Sequence, residues 1–118
     1  MEKPEIDMPE GLAPTELVAE DITVGEGNEA VAGGKVTVHY VGVDFENGEQ
    51  FDSSWDRGES ITFPLNGLIQ GWQEGIPGMK VGGRRKLVIP PHKAYGTSAA
   101  LHPLGGKTLV FVIDLLEA

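Results

Sequence analysis

The chain has 118 residues, of which 40% are hydrophobic, and it has no cysteine. A chain of this length forms one domain that buries about two-thirds of its unfolded surface, and without cysteine it can hold neither a disulfide framework nor a thiolate metal site. Nine basic and eighteen acidic residues give a net charge of −9. That charge disfavours contact with nucleic acid and with anionic membranes.

Residues 1–16 read MEKPEIDMPEGLAPTE, with three prolines and no hydrophobic period. This pattern is typical of an extended or mobile segment. Acidic residues stand where a secretory signal peptide has basic residues and an apolar run, and no apolar stretch reaches the ~18 residues of a membrane span. We therefore expect a cytoplasmic protein whose single folded domain covers residues 17–118.

Strand patterns recur through that domain. Apolar alternation and β-branched residues predict strands over residues 17–24, 35–45, 61–65, 84–90 and 108–116. Asn47-Gly48 predicts a hairpin. One short helix is predicted over residues 68–74, with Asn66 as its cap and Gly75 after its end. The elements predict an α+β domain with an antiparallel sheet.

Six segments carry a more specific signal: VHYVG, FDSSWDRG, LIQGW, GMKVGGRRKLVIP, AYG and TLVFVIDLL. In order and spacing they resemble the FKBP-type peptidyl-prolyl cis–trans isomerases, over about residues 18–118. The resemblance implies a five- to six-stranded antiparallel half-barrel sheet wrapped around one short α-helix. It also implies an isomerase of X–Pro bonds that needs no cofactor or metal. No exposed apolar stripe indicates an obligate dimer, so we expect a monomer.

The resemblance further implies one apolar pocket. Its catalytic residues would be Tyr40, Phe51, Asp52, Trp72, Tyr95 and Phe111, and further substrate-binding residues would be Arg57, Ile61, Leu68, Ile69, His102 and Leu104. Trp72 would form the floor under a proline ring, with Phe63 packed behind the site. The Ile69 N–H and the Tyr95 hydroxyl would donate to substrate carbonyls. The loop over residues 96–107 departs from the family pattern, so either His102 or Leu104 would form the lip.

The partners implied by the resemblance are proline-containing peptides, folding proteins and macrolides such as tacrolimus and rapamycin. Three alternatives stay open: a non-catalytic module that binds proline peptides or macrolides, an interaction protein that uses its acidic surface, and a glycosidase. No two carboxylates occupy clearly facing positions, which disfavours the glycosidase. Intact Phe51, Asp52 and Tyr95 favour the isomerase over the binding module.

Two other features are not assigned to a binding site. Residues 84–86, here called the cationic run, predict a solvated strand face rather than a site for an anionic partner. The three histidines lack the spacing of metal ligands, so no metal site is expected.

Overall fold

The computed structural model describes residues 2–6, 11–98, 100 and 102–118. In these residues six strands form one sheet: β1 (Val18–Thr23), β2 (Lys35–Asp44), β3 (Gln50–Ser53), β4 (Ile61–Pro64), β5 (Arg84–Ile89) and β6 (Leu109–Glu117). Two short α-helices are present, α1 (Ser54–Arg57) and α2 (Gln70–Gly75). Every strand pairing is antiparallel, in the order β1-β5-β6-β2-β3, and β4 also pairs with β2. The predicted α+β class with a five- to six-stranded antiparallel sheet is confirmed, with six strands present.

The main core lies between the sheet and α2. As the alternation predicts, Val36, Val38 and Tyr40 of β2 share one buried face. In this register Tyr40 pairs with Ile113 of β6, which places their side chains next to each other on that face. This inner face of the sheet is the one that carries the functional site.

Two glycines let α2 lie close to β5. A Cβ atom on Gly71 would come within 2.5 Å of Ile89 Cγ2, and one on Gly75 within 2.6 Å of Leu87 Cδ2. Both approaches are closer than van der Waals contact, so any larger residue would push the helix away from the sheet. These glycines thereby fix the depth at which the side chains of α2 enter the core.

Two residues of the cationic run, Arg84 and Arg85, make structural contacts, which corrects the prediction of a solvated face at these positions. Arg85 Nη1 donates to the carbonyl oxygens of Gly75 and Pro77 at 2.8 and 3.2 Å. It thus satisfies carbonyl groups at the end of α2. Arg84 Nε donates to the fully buried carboxylate of Asp114 at 2.6 Å.

The helices differ from the prediction in two respects. The predicted helix begins two residues later, at Gln70, after a 3₁₀ turn at Leu65–Gly67 that includes Asn66. Ile69 occupies the cap position and supplies no side-chain hydrogen bond, so the predicted Asn66 cap is wrong. Helix α1 was not predicted at all. Neither helix of the described residues is long and apolar enough to span a membrane.

The outer face of the sheet has a smaller core of its own. The outer valine cluster consists of Val41, Val43, Val88 and Val110, all buried. Ile6, Phe45 and Trp55 pack against it. Residues 2–6, here called the N-terminal strap, cross this face, and Lys3 Nζ lies 2.6 Å from Asp56 Oδ1 of α1.

Candidate active site

A cavity of about 180 Å³ opens on the inner face of the sheet. Its walls are mainly aromatic and come from β2, β3, β4, β6, α2 and the loops beside α2 and β5; they comprise Tyr40, Phe51, Asp52, Phe63, Leu68, Ile69, Trp72, Tyr95 and Phe111. The volume lies below the roughly 300–1,000 Å³ of clefts that bury drug-sized ligands. The cavity therefore suits one small apolar ring rather than a whole large ligand.

Trp72 of α2 forms the floor and is 5% exposed. Tyr40 and Phe111 both meet its indole edge to face, with ring centroids 5.1 and 5.2 Å away and interplanar angles of 80° and 89°. Such edge-to-face pairs are favourable for the quadrupoles of aromatic rings. The Trp72 indole N–H is buried and has no hydrogen-bond partner in the described part of the chain.

Gly42 of β2 allows two further aromatic walls to meet. A Cβ atom at this position would lie 2.6 Å from Phe51 Cζ and 2.8 Å from Phe111 Cε1. Because glycine leaves this space open, the rings of Phe51 and Phe111 pack edge to face with centroids 5.5 Å apart. The absence of a side chain in β2 thus shapes this wall of the cavity.

One wall is polar. The Tyr40 hydroxyl donates to Asp52 Oδ2 at 2.5 Å and accepts from Arg57 Nη2 at 2.9 Å. Arg57 also pairs with Asp52. Burial raises the pKa of Tyr40, and its hydrogen bond to Asp52 raises that pKa further. The Tyr40 hydroxyl therefore stays protonated. The mutual contacts of Arg57, Tyr40 and Asp52 hold the Asp52 carboxylate at the mouth of the cavity.

Two hydrogen-bond donors beside the cavity differ from the Tyr40 hydroxyl. The Ile69 N–H and the Tyr95 hydroxyl have no hydrogen-bond partner among the described residues. Burial, and then the charge of Asp52, raise the pKa of Tyr95, so its hydroxyl also remains a donor at neutral pH. An apolar cavity bordered by two free donors can bind a ring whose neighbouring groups are carbonyls.

The family model for FKBP-type peptidyl-prolyl cis–trans isomerases matches residues 26–116. A probable FK506-binding protein from Corynebacterium glutamicum is 70% identical over 118 residues, which is the whole of both chains. The chain belongs to the FKBP-type prolyl isomerases. An FK506-binding protein from Streptomyces anulatus is 51% identical and is matched over 97% of its length by 98% of this chain.

Solved FKBP structures have the same fold. The crystal structure of AtFKBP13 matches with a TM-score of 0.75 and 38% identity, over 91% of this chain and 97% of that one. FkpA from Escherichia coli matches with a TM-score of 0.77 and 42% identity, over 86% of this chain and 47% of that one. This FKBP domain therefore spans about half the length of FkpA.

Eight of the twelve residues predicted for the site lie in the lining of the FKBP pocket: Tyr40, Phe51, Asp52, Leu68, Ile69, Trp72, Tyr95 and Phe111. Arg57 lies just outside and contacts two of them. Ile61 packs on the main core but does not line the cavity. His102 stacks on Tyr95, and Leu104 packs on the main core without reaching the lining.

Phe63 is the lining residue whose position the sequence reasoning missed. It was expected behind the site, but its ring lies 5.8 Å from that of Trp72 and forms part of the wall. The available signal was the alternation of β4, because Phe63 pairs with Val36 and Ile61 pairs with Val38 on the same inner face. Trp55 is an aromatic residue that does not line the cavity. It stacks on His39 and packs against the outer valine cluster.

Proposed function

We propose that this FKBP domain accelerates X–Pro rotation by non-covalent binding of a twisted amide in the aromatic cavity. The observation that carries the proposal is the cavity itself: a small aromatic space, floored by Trp72, beside which the Ile69 N–H and the Tyr95 hydroxyl have no partner among the described residues. A proline ring fits this space, and the carbonyls on either side of it need donors of this kind.

The chemistry requires no nucleophile. Rotation about the amide bond has a barrier of about 18–20 kcal/mol because it breaks amide resonance. The twisted amide has less charge separation than the planar one, so an apolar cavity disfavours the ground state more than the transition state. A thousandfold acceleration needs about 4 kcal/mol of such differential stabilisation.

Named residues divide this work. The indole of Trp72 supports the proline ring, and the rings of Tyr40, Phe51 and Phe111 exclude water from it. The Ile69 N–H fixes a carbonyl while the Tyr95 hydroxyl donates to another. With these two substrate carbonyls held, rotation occurs at the X–Pro bond between them.

The same cavity is proposed to bind macrolides of the FK506 (tacrolimus) and rapamycin type. Two relatives, one 70% and one 51% identical to this chain, are named for FK506 binding, and each is matched over nearly its whole length. Because the cavity is small, one ring of such a ligand would enter it and the remainder would lie on the rim. Macrolide and proline peptide would then compete.

The test is cis-to-trans isomerisation of short Xaa-Pro-Phe peptides in the cold, with and without tacrolimus. Wild type is compared with Tyr95→Phe, Asp52→Val and a control on the exposed strand β1, Glu20→Gln. We expect rapid turnover that tacrolimus blocks, a loss in the two pocket variants and none in the control.

A second outcome would favour the binding module. Tacrolimus binding without acceleration would mean that the pocket holds ligands and does not catalyse. Absence of both turnover and binding would contradict the proposed function altogether.

A further inference from the structure

Tyr95 is covered on one ring face by a histidine from the loop that follows it. The His102 imidazole stacks on the phenol ring, with centroids 4.3 Å apart and planes inclined by 13°. Tyr95 lines the cavity and His102 does not. The contact of His102 with the site therefore runs through Tyr95.

His102 is itself held by short-range hydrogen bonds. Its Nδ1 accepts from the Leu104 N–H at 2.9 Å, which assigns the proton of the neutral ring to Nε2. Its carbonyl accepts from the Gly105 N–H at 2.8 Å. Leu104 packs on the main core, so the imidazole is fixed to the body of the domain.

The base of this loop is closed next to Tyr95. The Gly106 N–H donates to the Gly96 carbonyl at 2.7 Å. A Cβ atom on Gly105 would lie 2.1 Å from the Ser98 carbonyl oxygen, so the two sides of the loop are in direct contact. The histidine is therefore presented by a compact turn rather than by a free loop end.

The Tyr95 hydroxyl has no hydrogen-bond partner among the described residues. In the described part of the chain, packing of the ring therefore sets the direction in which the hydroxyl donates. Stacked rings prefer a defined separation and orientation, and the tight turn fixes the position of the imidazole.

We propose that His102 is a positioning residue for Tyr95, whose ring plane it fixes so that the hydroxyl meets the substrate carbonyl. This role rests on the proposed function, since it presumes that Tyr95 donates to substrate. Two properties of His102 can contribute to this role: its flat ring stacks on Tyr95, and its Nδ1 acceptor closes the turn.

Two substitutions isolate those properties. His102→Asn offers a side-chain oxygen that can accept from the residue two positions on, as Asx turns do, but it removes the ring. His102→Phe keeps a flat ring and removes the acceptor. His92→Asn, an exposed histidine in the turn before Tyr95, is the matched control.

The first arm measures kcat and KM on an Xaa-Pro-Phe series. We expect His102→Asn to lower kcat/KM about three- to tenfold, the size of one lost hydrogen bond. His102→Phe should rescue most of this loss. In a Tyr95→Phe background, where no hydroxyl remains to be positioned, His102→Asn should have no further effect. Wild-type rates in His102→Asn, or an undiminished loss in the Tyr95→Phe background, would overturn the role.

The second arm is independent of turnover. The chain has two tyrosines, so the ring signals of isotope-labelled Tyr95 can be identified in NMR spectra by comparison with Tyr40→Phe. His102→Asn should shift these signals and speed ring rotation, and His92→Asn should not. Unchanged Tyr95 signals would overturn the inference even if wild type proved inactive. Inactive wild type with shifted signals would contradict the proposed function alone.

Discussion

The Tyr40 hydroxyl donates a 2.5 Å hydrogen bond to Asp52 across the pair formed by β2 and β3. Arg57 of α1 binds both partners. A carboxylate at the mouth of an apolar cavity thus has its charge balanced by an arginine and its orientation fixed by a phenol. Removal of the carboxylate takes the acceptor from the Tyr40 hydroxyl and from Arg57 Nη1, while Arg57 Nη2 can still donate to the Tyr40 oxygen.

Asp52→Val should therefore lower kcat/KM about tenfold, equivalent to about 1.4 kcal/mol of transition-state stabilisation. Asp52→Asn keeps an oxygen that can accept from Tyr40 and should cost less. Asp56→Asn, on the exposed side of α1, is the control and should leave turnover of a proline peptide unchanged. Equal rates in wild type and Asp52→Val would show that this network has no part in catalysis.

The two tyrosines should ionise at unusually high pH. Burial is the largest cause that raises the pKa of each, and Asp52 raises both further. A raised pKa in the folded state stabilises the fold below the unfolded value of about 10. That contribution is lost as the pH rises through the folded values.

Ultraviolet absorbance of the phenolates measures this directly. In Asp52→Asn both titrations should move down towards the ordinary value, because the negative charge that opposes ionisation is gone. Tyr40→Phe and Tyr95→Phe assign the two steps. If the tyrosine pKa values of wild type and Asp52→Asn are equal, Asp52 does not act on either hydroxyl.

The pair of Arg84 and Asp114 should matter for stability rather than for catalysis. Asp114 is fully buried, and Arg84 contacts both of its carboxylate oxygens, at 2.6 and 3.1 Å. Removal of one member of a buried pair leaves an uncompensated charge and costs about 3–5 kcal/mol. Arg84→Met should lower the free energy of unfolding by about that amount.

The double variant Arg84→Met, Asp114→Leu should recover much of this loss, since neither charge remains buried. Denaturant unfolding of Arg84→Met, Asp114→Leu and the double variant is the measurement. If the double variant is as unstable as the sum of the single ones, packing at these positions rather than charge pairing determines the loss.

The sequence predicted what depends on local pattern. Alternation in β2 correctly assigned Val36, Val38 and Tyr40 to the inner face, and Asn47-Gly48 marked the turn between β2 and β3. Helix α1 has four residues, too few for a hydrophobic period. Its detectable signal was a cap: Ser53 Oγ accepts from the Asp56 N–H, and Gly58 ends the helix at positive φ.

Contacts between distant segments could not be read from local pattern. The burial of Asp114 against Arg84 and the contact of Arg85 with the end of α2 arise only once β5 lies between β1 and β6. The stack of His102 on Tyr95 depends on how one loop turns. The pocket was predicted better because its residues lie in motifs whose spacing is family-specific.

Residues 1–16 are predicted to be extended or mobile, and within this segment the N-terminal strap, residues 2–6, contacts the sheet. Ile6 packs against the outer valine cluster, and the Glu2 carbonyl accepts from Arg84 Nη2 at 2.6 Å. Burial of apolar surface is worth about 25 cal/mol per Å². Ile6→Ala should therefore lower the free energy of unfolding by about 1–2 kcal/mol, because Ile6 is half-buried.

Catalysis should be unaffected by Ile6→Ala, since the strap and the cavity lie on opposite faces of the sheet. Glu5→Ala, an exposed neighbour, is the matched control. Lys3→Ala should cost less than Ile6→Ala, because both members of its pair with Asp56 are 40% or more exposed and solvent screens their attraction. Chemical denaturation measures all three variants. Equal stability of Ile6→Ala and Glu5→Ala would mean that the strap leaves the sheet in solution and that the valine cluster is stable without it.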